Sequence, residues 1–424
     1  MKRQPVKASM ASFIGTMVEW YDYYIYGTAS ALIFGAIFFP SDNEFISTIS
    51  SFATFAVGFL ARPLGAVLFG GLGDKVGRKK SLLITISMMG ISTFLIGLLP
   101  GYASIGIWAP ILLILLRLIQ GLAVGGEWGG AVLIAGEHAE KGNRTFMASF
   151  AQLGSPAGLI ISILIFKVIT GFDNEFIMTI GWRIPFLLSI VMLAIGLFIR
   201  LGINESPDFT EVKEKNELSD KPAKEVWLRQ PKILIVTIFS NALGIAGSYF
   251  INTFMLSYCV QTLKLEKETI LSCLFIAAIV QFLMQPVSAW ASKFIGAGRM
   301  LLISSFAGVV VPYAMFSLVD TRDYHYITLG MSLGMIAMCS FYAVIAGYLS
   351  GIFPTRYRYT GISISYQFAG AVFGGFTPMV GALLSHNIPG SWMPLAIFFS
   401  VISLCSFLSV LYLETHKNLF EGAE

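Results

Sequence analysis

Long apolar stretches separated by short polar segments dominate the chain. A helix needs about 20 mostly apolar residues to cross roughly 30 Å of hydrocarbon, so each stretch predicts a membrane-spanning helix. The predicted spans are residues 10–39, 46–71, 81–99, 109–136, 147–170, 182–202, 232–258, 269–291, 300–319, 326–351, 361–385 and 392–413.

The spans fall into two groups of six, which predicts an all-α membrane protein built from two six-helix bundles. The predicted bundles are residues 1–202 and 232–424, and the polar segment 203–231 between them is interpreted as a central loop. A weak repeat supports this division, because GGLGDKVGRKK follows the second span and SAWASKFIGAGRM follows the eighth. Parallel repeats of this kind favour a transport site between the two bundles.

Charge indicates the orientation and excludes some functions. Of the 424 residues, 56% are hydrophobic and 12% charged, which is not the composition of a soluble domain. An even number of spans puts both termini on one side, and the loops on that side hold most of the Lys and Arg residues. We therefore predict a multi-pass protein of a bacterial cytoplasmic membrane with cytoplasmic termini. The small basic excess serves orientation, and no nucleic-acid partner is expected.

Five charged residues lie deep inside predicted spans, away from the span ends, and all of them are in the first half: Glu19, Asp22, Arg62, Arg117 and Glu127. A charge in hydrocarbon is costly, so each one suggests a functional site. In the first span, Glu19 and Asp22 share one helix face with Tyr23 and Tyr26. In the fourth span, Gln120 shares a face with Arg117. These residues predict a polar surface that faces a cavity.

Depth along the helices suggests how the charges pair. At about 1.5 Å per residue, Glu19 lies about 15 Å from the cytoplasmic start of the first span. Arg117 lies about 12 Å from the start of the fourth span, which is at the outer face, so both residues lie near the midplane. The same arithmetic makes Arg62 and Glu127 a second candidate pair near the cytoplasm. We hypothesise that Glu19 or Asp22 exchanges a coupling proton while Arg117 attracts a substrate carboxylate. The alternative is that the charges form static ion pairs that only orient the bundle.

Polar but uncharged residues supply the rest of the predicted substrate site. They could bind hydroxyl groups or a second carboxylate, or they could only form hydrogen bonds between helices. The residues predicted to contribute, besides Arg117, Tyr23, Tyr26 and Gln120, are Gln152, Asn252, Tyr366 and Gln367.

Several motifs resemble known transporters. GGLGDKVGRKK, from Gly70 to Lys80, is similar to the signature loop of the major facilitator superfamily. Within it, Asp74 and Arg78 offer a breakable charge pair that can latch the two halves together. EWYDYYIYG, RLIQGLAVGGEWGG and WRIPF look like the metabolite:proton symporter family of that superfamily. The further residues that agree with the superfamily, and that we interpret as latch residues, are Glu137, Arg144 and Arg358.

The resemblance implies the major facilitator fold and proton-coupled uptake of a small organic acid such as shikimate, 2-oxoglutarate or citrate. Uptake of proline or betaine is the alternative, and drug:proton antiport is a weaker one. The sequence contains no phosphate-binding loop and no metal-ligand or nucleophile motif. We therefore expect a monomer in the lipid bilayer that is not an enzyme and has a metabolite and a proton as its only ligands, with no metal or cofactor.

Overall fold

The computed structural model describes residues 5–76, 78–125, 127–128, 131, 144–204, 222–350, 352–353 and 358–416. All the regular elements in this part of the chain are helical. We number the membrane-length segments α1 to α12. The first six are α1 Pro5–Leu32, α2 Glu44–Leu60 continued by Arg62–Val76, α3 Arg78–Leu98, α4 Trp108–Gly125, α5 Arg144–Thr170 and α6 Arg183–Leu201.

The second half repeats this plan with two interrupted helices. Segments α7 and α11 each contain π-helical turns, in which the backbone hydrogen bonds join residues five apart instead of four. The segments are α7 Pro231–Thr262, α8 Lys267–Ile295, α9 Ala297–Asp320, α10 Tyr324–Ser350, α11 Arg358–Asn387 and α12 Met393–Thr415.

The structure confirms the all-α membrane fold. Within the described residues, 11 helices are long and apolar enough to span a bilayer. The remaining segment, α1, has 28 residues. Its length, about 42 Å at 1.5 Å per residue, is ample. Its two acids and four tyrosines make it less apolar than the others, because it lies inside the protein with most side chains buried.

Side-chain contacts at the helix ends define two faces. Lys79 at the start of α3 donates a hydrogen bond to the carbonyl of Leu201 at the end of α6 (2.8 Å). Arg183 at the start of α6 donates to the carbonyl of Leu99 just after α3 (2.6 Å). We call the first side, where α1 starts and α12 ends, the terminal face, and the other the opposite face. The cytoplasmic location of the terminal face stays a prediction.

One element differs from the expected central loop. A short helix, Pro222–Arg229, forms inside segment 203–231. Proline suits a first helical turn, and Glu225 pairs with Arg229 at 3.3 Å one turn later. Val226 is buried, which ties this helix to the bundle. Residues 205–221 of the predicted loop lie outside the described residues.

Glycines let α2 and α4 approach until their backbones touch. A Cβ at Gly121 would overlap the carbonyl oxygen of Gly58, and a Cβ at Gly65 would overlap that of Leu122. Small residues permit this close approach in membrane bundles. The pairing holds Arg62 of α2 and Arg117 of α4 in a fixed relation.

We expect Gly121→Ala to destabilise the protein by about 2–3 kcal/mol, because the added methyl group meets backbone that cannot rotate away. The measurement is the apparent melting temperature of the purified full-length protein in detergent. Gly171→Ala is the matched control, since its Cβ would have 3.4 Å to the nearest atom. Equal melting temperatures for the two variants would contradict the packing argument.

Candidate functional site

A chain of buried hydrogen bonds connects Asp22 to Arg117. Thr93 Oγ1 donates to Asp22 Oδ2 at 2.7 Å. Gln120 Nε2 donates to Thr93 Oγ1 at 2.6 Å, and Arg117 Nη1 donates to Gln120 Oε1 at 2.5 Å. The acid and the guanidinium lie in one layer, but they are connected only through the hydrogen bonds of two neutral side chains. We call these four residues the relay.

Arg117 is enclosed by residues of the first half. Its Nη2 donates to the carbonyl of Phe55 at 3.1 Å, and its guanidinium lies 3.8 Å from the ring centroid of Tyr26. A Cβ on Gly58 would lie 2.6 Å from Nη2, so that glycine leaves room for the cation. The aromatic face stabilises the charge where water is excluded. All these partners belong to α1, α2 and α4.

Arg62 lies at the boundary between the halves. Its guanidinium lies against the rings of two neighbouring aromatic residues, Tyr23 (4.2 Å to the centroid) and Phe59 (4.1 Å). Its Nε donates to the Tyr23 hydroxyl at 3.3 Å. On the side of the second half, a Cβ on Gly370 of α11 would lie 3.7 Å from its Nη1. Arg62 is therefore a buried cation that faces both halves.

The predicted pair between Arg62 and Glu127 is wrong. Glu127 Oε1 pairs instead with Arg200 Nη2 at 2.6 Å, and Arg200 Nη1 donates to the carbonyl of Leu82 at 3.1 Å. Arg200 lies at the very end of the apolar run of α6, where the sequence gives no sign that an arginine is buried. Its long side chain turns inward and is buried, because it supplies the counter-charge that a carboxylate in a dry interior requires.

Aromatic side chains from both halves meet at the boundary. Trp20 stacks on Tyr249 with centroids 5.9 Å apart and meets Tyr342 edge-on at 6.2 Å. Tyr366 stacks on Trp128 at 4.1 Å and shares a hydrogen bond of 3.0 Å with the Tyr342 hydroxyl. The boundary is thus built from large rings that carry polar atoms, a surface suited to ligands with both apolar and polar parts.

Several buried polar groups near this boundary have unused hydrogen-bonding capacity. Buried polar atoms in folded proteins nearly always have partners, so a group of exceptions points to a ligand or water. Helices α5 and α8, which carry three of the residues, pack against each other across the boundary. The atoms without a partner are Trp20 Nε1, Gln152 Nε2, Tyr249 Oη, Asn252 Oδ1, Gln281 Oε1, both polar atoms of Gln285, and Gln367 Oε1.

Two of the predicted substrate residues also make hydrogen bonds. Asn252 Nδ2 donates to Ser248 Oγ at 3.5 Å, within its own helix. Gln367 Nε2 donates to the carbonyl of Gly125 at 3.3 Å, which joins α11 to α4 near the terminal face. Each of these side chains keeps one polar atom unpartnered, so structural and ligand-binding roles are compatible.

The halves are also joined at the opposite face. Thr48 donates to Gln261 Oε1 at 2.9 Å, and Gln261 Nε2 donates to the carbonyl of Ala31 at 3.0 Å. The rings of Phe45 and His386 stack with their centroids 3.7 Å apart. Contacts therefore bridge the halves on both sides of the central residues.

Most predicted latch residues cannot be placed. Glu137 lies outside the described residues, and the helices α2, α3, α5 and α11 include Asp74, Arg78, Arg144 and Arg358 only as backbone, with side chains outside the description. Their latch role stays a prediction. In the described ranges, no group of three or more His, Cys, Asp or Glu residues could hold a metal ion.

Comparison with known proteins identifies relatives along the whole chain. Residues 7–234 match the family described as Sugar (and other) transporter. The shikimate transporter of Escherichia coli is 37% identical over 97% of this chain and 95% of its own length. The glycine betaine/proline/ectoine/pipecolic acid transporter OusA of Dickeya dadantii is 34% identical over 98% of this chain and 85% of its own.

Solved structures give the same fold. The xylose transporter XylE from E. coli, in a partially occluded inward open conformation, matches with a TM-score of 0.76 at 16% identity over 97% of both chains. At this identity the likeness shows the fold alone. The curated relatives add the family, which is the one that the motifs around Glu19, Arg117 and Trp182 predicted. The chain belongs to the metabolite:proton symporter family of the major facilitator superfamily and is a membrane transporter, not an enzyme.

Proposed function

We propose that this transporter takes up a small organic acid together with a proton, with shikimate as the first candidate. The observation that carries the proposal is the relay, which connects a buried carboxylate to a buried guanidinium beside a boundary with unused polar groups. The 37% identity to a shikimate transporter supports this substrate class. The proposed unit is a monomer in a bacterial cytoplasmic membrane, with the terminal face cytoplasmic.

The charge balance explains why such a substrate would need a proton. An anionic carboxylate entering the bilayer is costly, and a proton bound by the protein makes the combined cargo neutral. Asp22 has one oxygen, Oδ1, without a partner, which leaves a position for that proton. In this proposal, the guanidinium of Arg117 favours the ionised form of Asp22 through the relay, and a substrate carboxylate bound nearby weakens that effect, so that Asp22 takes up the proton. Proton uptake at Asp22 and substrate binding then favour each other.

The substrate groups divide between the halves in this proposal. Arg62, which faces both halves, attracts the substrate carboxylate. Arg117 also contacts the ring of Tyr23, and it is the cation that the relay links to Asp22. The hydroxyl groups of a substrate such as shikimate would bind the unpartnered atoms of Gln152, Gln281 and Gln285. Direct binding of the carboxylate by Arg117, as the sequence suggested, stays a prediction.

One observation favours a second candidate, a zwitterionic compatible solute such as betaine or proline. Trp20, Tyr249, Tyr342 and Tyr366 form a group of buried rings at the boundary. Aromatic faces attract quaternary ammonium groups by cation–π interactions. In that case the rings would hold the ammonium group while Arg62 holds the carboxylate.

The test is substrate-induced proton movement in proteoliposomes loaded with a pH-sensitive dye. We expect shikimate to cause saturable acidification of the lumen, and citrate, 2-oxoglutarate, proline and betaine are assayed in parallel. Acidification by betaine or proline alone would replace the organic acid by the second candidate. Accumulation of any of these compounds without proton movement would reject proton coupling. Liposomes without protein control for leakage.

A further inference from the structure

Polar positions continue along one face of α1 from the relay to the terminal face. Ser12, Gly15, Glu19 and Asp22 are spaced i, i+3, i+7 and i+10, so they share one side of the helix. The distance from Ser12 to Asp22 is about 15 Å at 1.5 Å per residue. We call this face the α1 column. It joins the midplane to the aqueous side of the protein.

The part of the α1 column nearest the terminal face touches Arg200, which pairs with Glu127. The guanidinium of Arg200 lies directly against Gly15, where any Cβ would overlap it. Glu19 is one helical turn further along the same face. The pair therefore lies between Glu19 and the terminal face, and Gly15 creates the space for it.

A small cavity opens beside Arg200, the partner of Glu127. It has a volume of about 20 Å³, enough for one water molecule. Ser12 at its wall donates a hydrogen bond to the carbonyl of Ala131 at 3.0 Å. The other lining residues include Lys79, Leu82, Arg200 and Asn204. Water at this place can exchange protons with the terminal side.

Glu127 has an oxygen available for a proton. The residue is fully buried, and although Oε1 pairs with Arg200, Oε2 has no hydrogen-bond partner. A static ion pair is stable only when the remaining lone pairs are satisfied as well. The unpartnered oxygen and the adjacent Glu19 are not explained by a role in packing.

We propose that Glu127 is a third proton-carrying carboxylate, which takes the coupling proton from Glu19 and releases it at the terminal face. This inference rests on the proposed proton symport. Asp22 passes the coupling proton to the carboxylate of Glu19, one helical turn nearer the terminal face, and the protonated carboxyl of Glu19 gives it to Oε2 of the Glu127 carboxylate. Glu127 then gives the proton to a water molecule that reaches it from the cavity beside Arg200, which carries it away as hydronium and leaves Glu127 ionised.

Arg200 is a positioning residue in this step. Its charge favours the ionised form of Glu127 and so returns the carboxylate to its accepting state. The other charged groups that face the exchange are Glu19 and Asp22 on α1, Arg62 on α2, and Lys79 at the cavity.

The first test separates net transport from exchange in proteoliposomes, with radiolabelled shikimate as the probe. Exchange moves substrate both ways without proton release, whereas accumulation against a gradient requires release in every cycle. We expect Glu127→Gln to lower proton-driven accumulation at least about tenfold while it keeps most of its exchange. Glu175→Gln, an exposed carboxylate at the opposite face, is the matched control. Equal loss of exchange and accumulation in Glu127→Gln would overturn the proposal.

A second test needs no substrate. In pH-dependent infrared difference spectra of the full-length protein in nanodiscs, a carboxyl that gains a proton gives a C=O stretching band. We expect one such band to be absent in Glu127→Gln. In Arg200→Lys we expect the same band to appear at a different pH from that in the wild type. If every band of the wild type persists in Glu127→Gln, Glu127 is not a proton carrier. Wild-type protein that moves shikimate without protons would instead reject the proposed symport, whatever the infrared result.

Discussion

Asp22→Asn is expected to abolish proton-driven accumulation of the substrate while substrate exchange persists. The amide has the shape of the carboxyl group, and its oxygen still accepts the hydrogen bond from Thr93, so the packing of α1 against α3 is kept. It cannot take up or release a proton. Since a positioned acid–base group contributes about a hundredfold or more to rate, we expect a loss of that order in initial uptake rate under a pH gradient.

The measurement for Asp22→Asn compares uptake and exchange of shikimate in the same liposome preparation. Asp42→Asn, an exposed acid at the opposite face, controls for the loss of one negative charge. Surface expression and melting temperature are matched before the rates are compared. Accumulation by Asp22→Asn within twofold of the wild type would show that Asp22 is a structural charge.

Helix depth was enough to predict that an acid of α1 and Arg117 lie in one layer, but not which acid is linked to Arg117 or through which atoms. The arithmetic of 1.5 Å per residue brought Glu19 and Arg117 to one layer, whereas the hydrogen bonds link Arg117 to Asp22. It could not give the rotation of each helix about its axis, and that rotation decides whether two side chains touch. Thr93 connects the two and was missed, because a single threonine in an apolar run carries no signal of its own.

The burial of Arg200 could not be predicted from the hydropathy pattern. An arginine at the end of an apolar run can turn outward to water or inward to a buried acid, and the sequence is the same in both cases. The two outcomes differ by the presence of Glu127, which lies just after α4 and is distant from Arg200 in sequence. With no partner assigned to it, Glu127 was matched to Arg62 by depth alone, and the wrong pair followed.

The fold was predictable because it depends on many residues at once. Twelve apolar stretches each determine a span nearly independently, so local errors such as the helix at Pro222–Arg229 change little. The site depends on single atoms. Nothing in the sequence separates a packing role from a ligand-binding role for Gln281 and Gln285 of α8, and only their lack of partners favours the ligand.

Arg117→Gln is expected to reduce substrate accumulation about a hundredfold, comparably to Asp22→Asn. Its removal leaves Asp22 without the cation that acts on it through Gln120 and Thr93, and leaving a buried charge uncompensated costs about 3–5 kcal/mol. The carboxyl of Asp22 then keeps its proton, so release fails. If Arg117 acts mainly through the relay, exchange persists and the KM for shikimate changes little; if Arg117 binds the carboxylate itself, KM rises and exchange is lost as well.

A double variant measures the coupling between the two ends of the relay. If they act as one unit, Asp22→Asn combined with Arg117→Gln loses no more than either single variant, because the neutral amide no longer needs the cation. Arg183→Gln is the matched control: its guanidinium lies outside the relay, against Trp182 at 4.4 Å, and its effect should add to that of Asp22→Asn. Additive losses for the Asp22 and Arg117 pair would mean that the relay transmits nothing, since two residues that act independently each remove their own share of the rate.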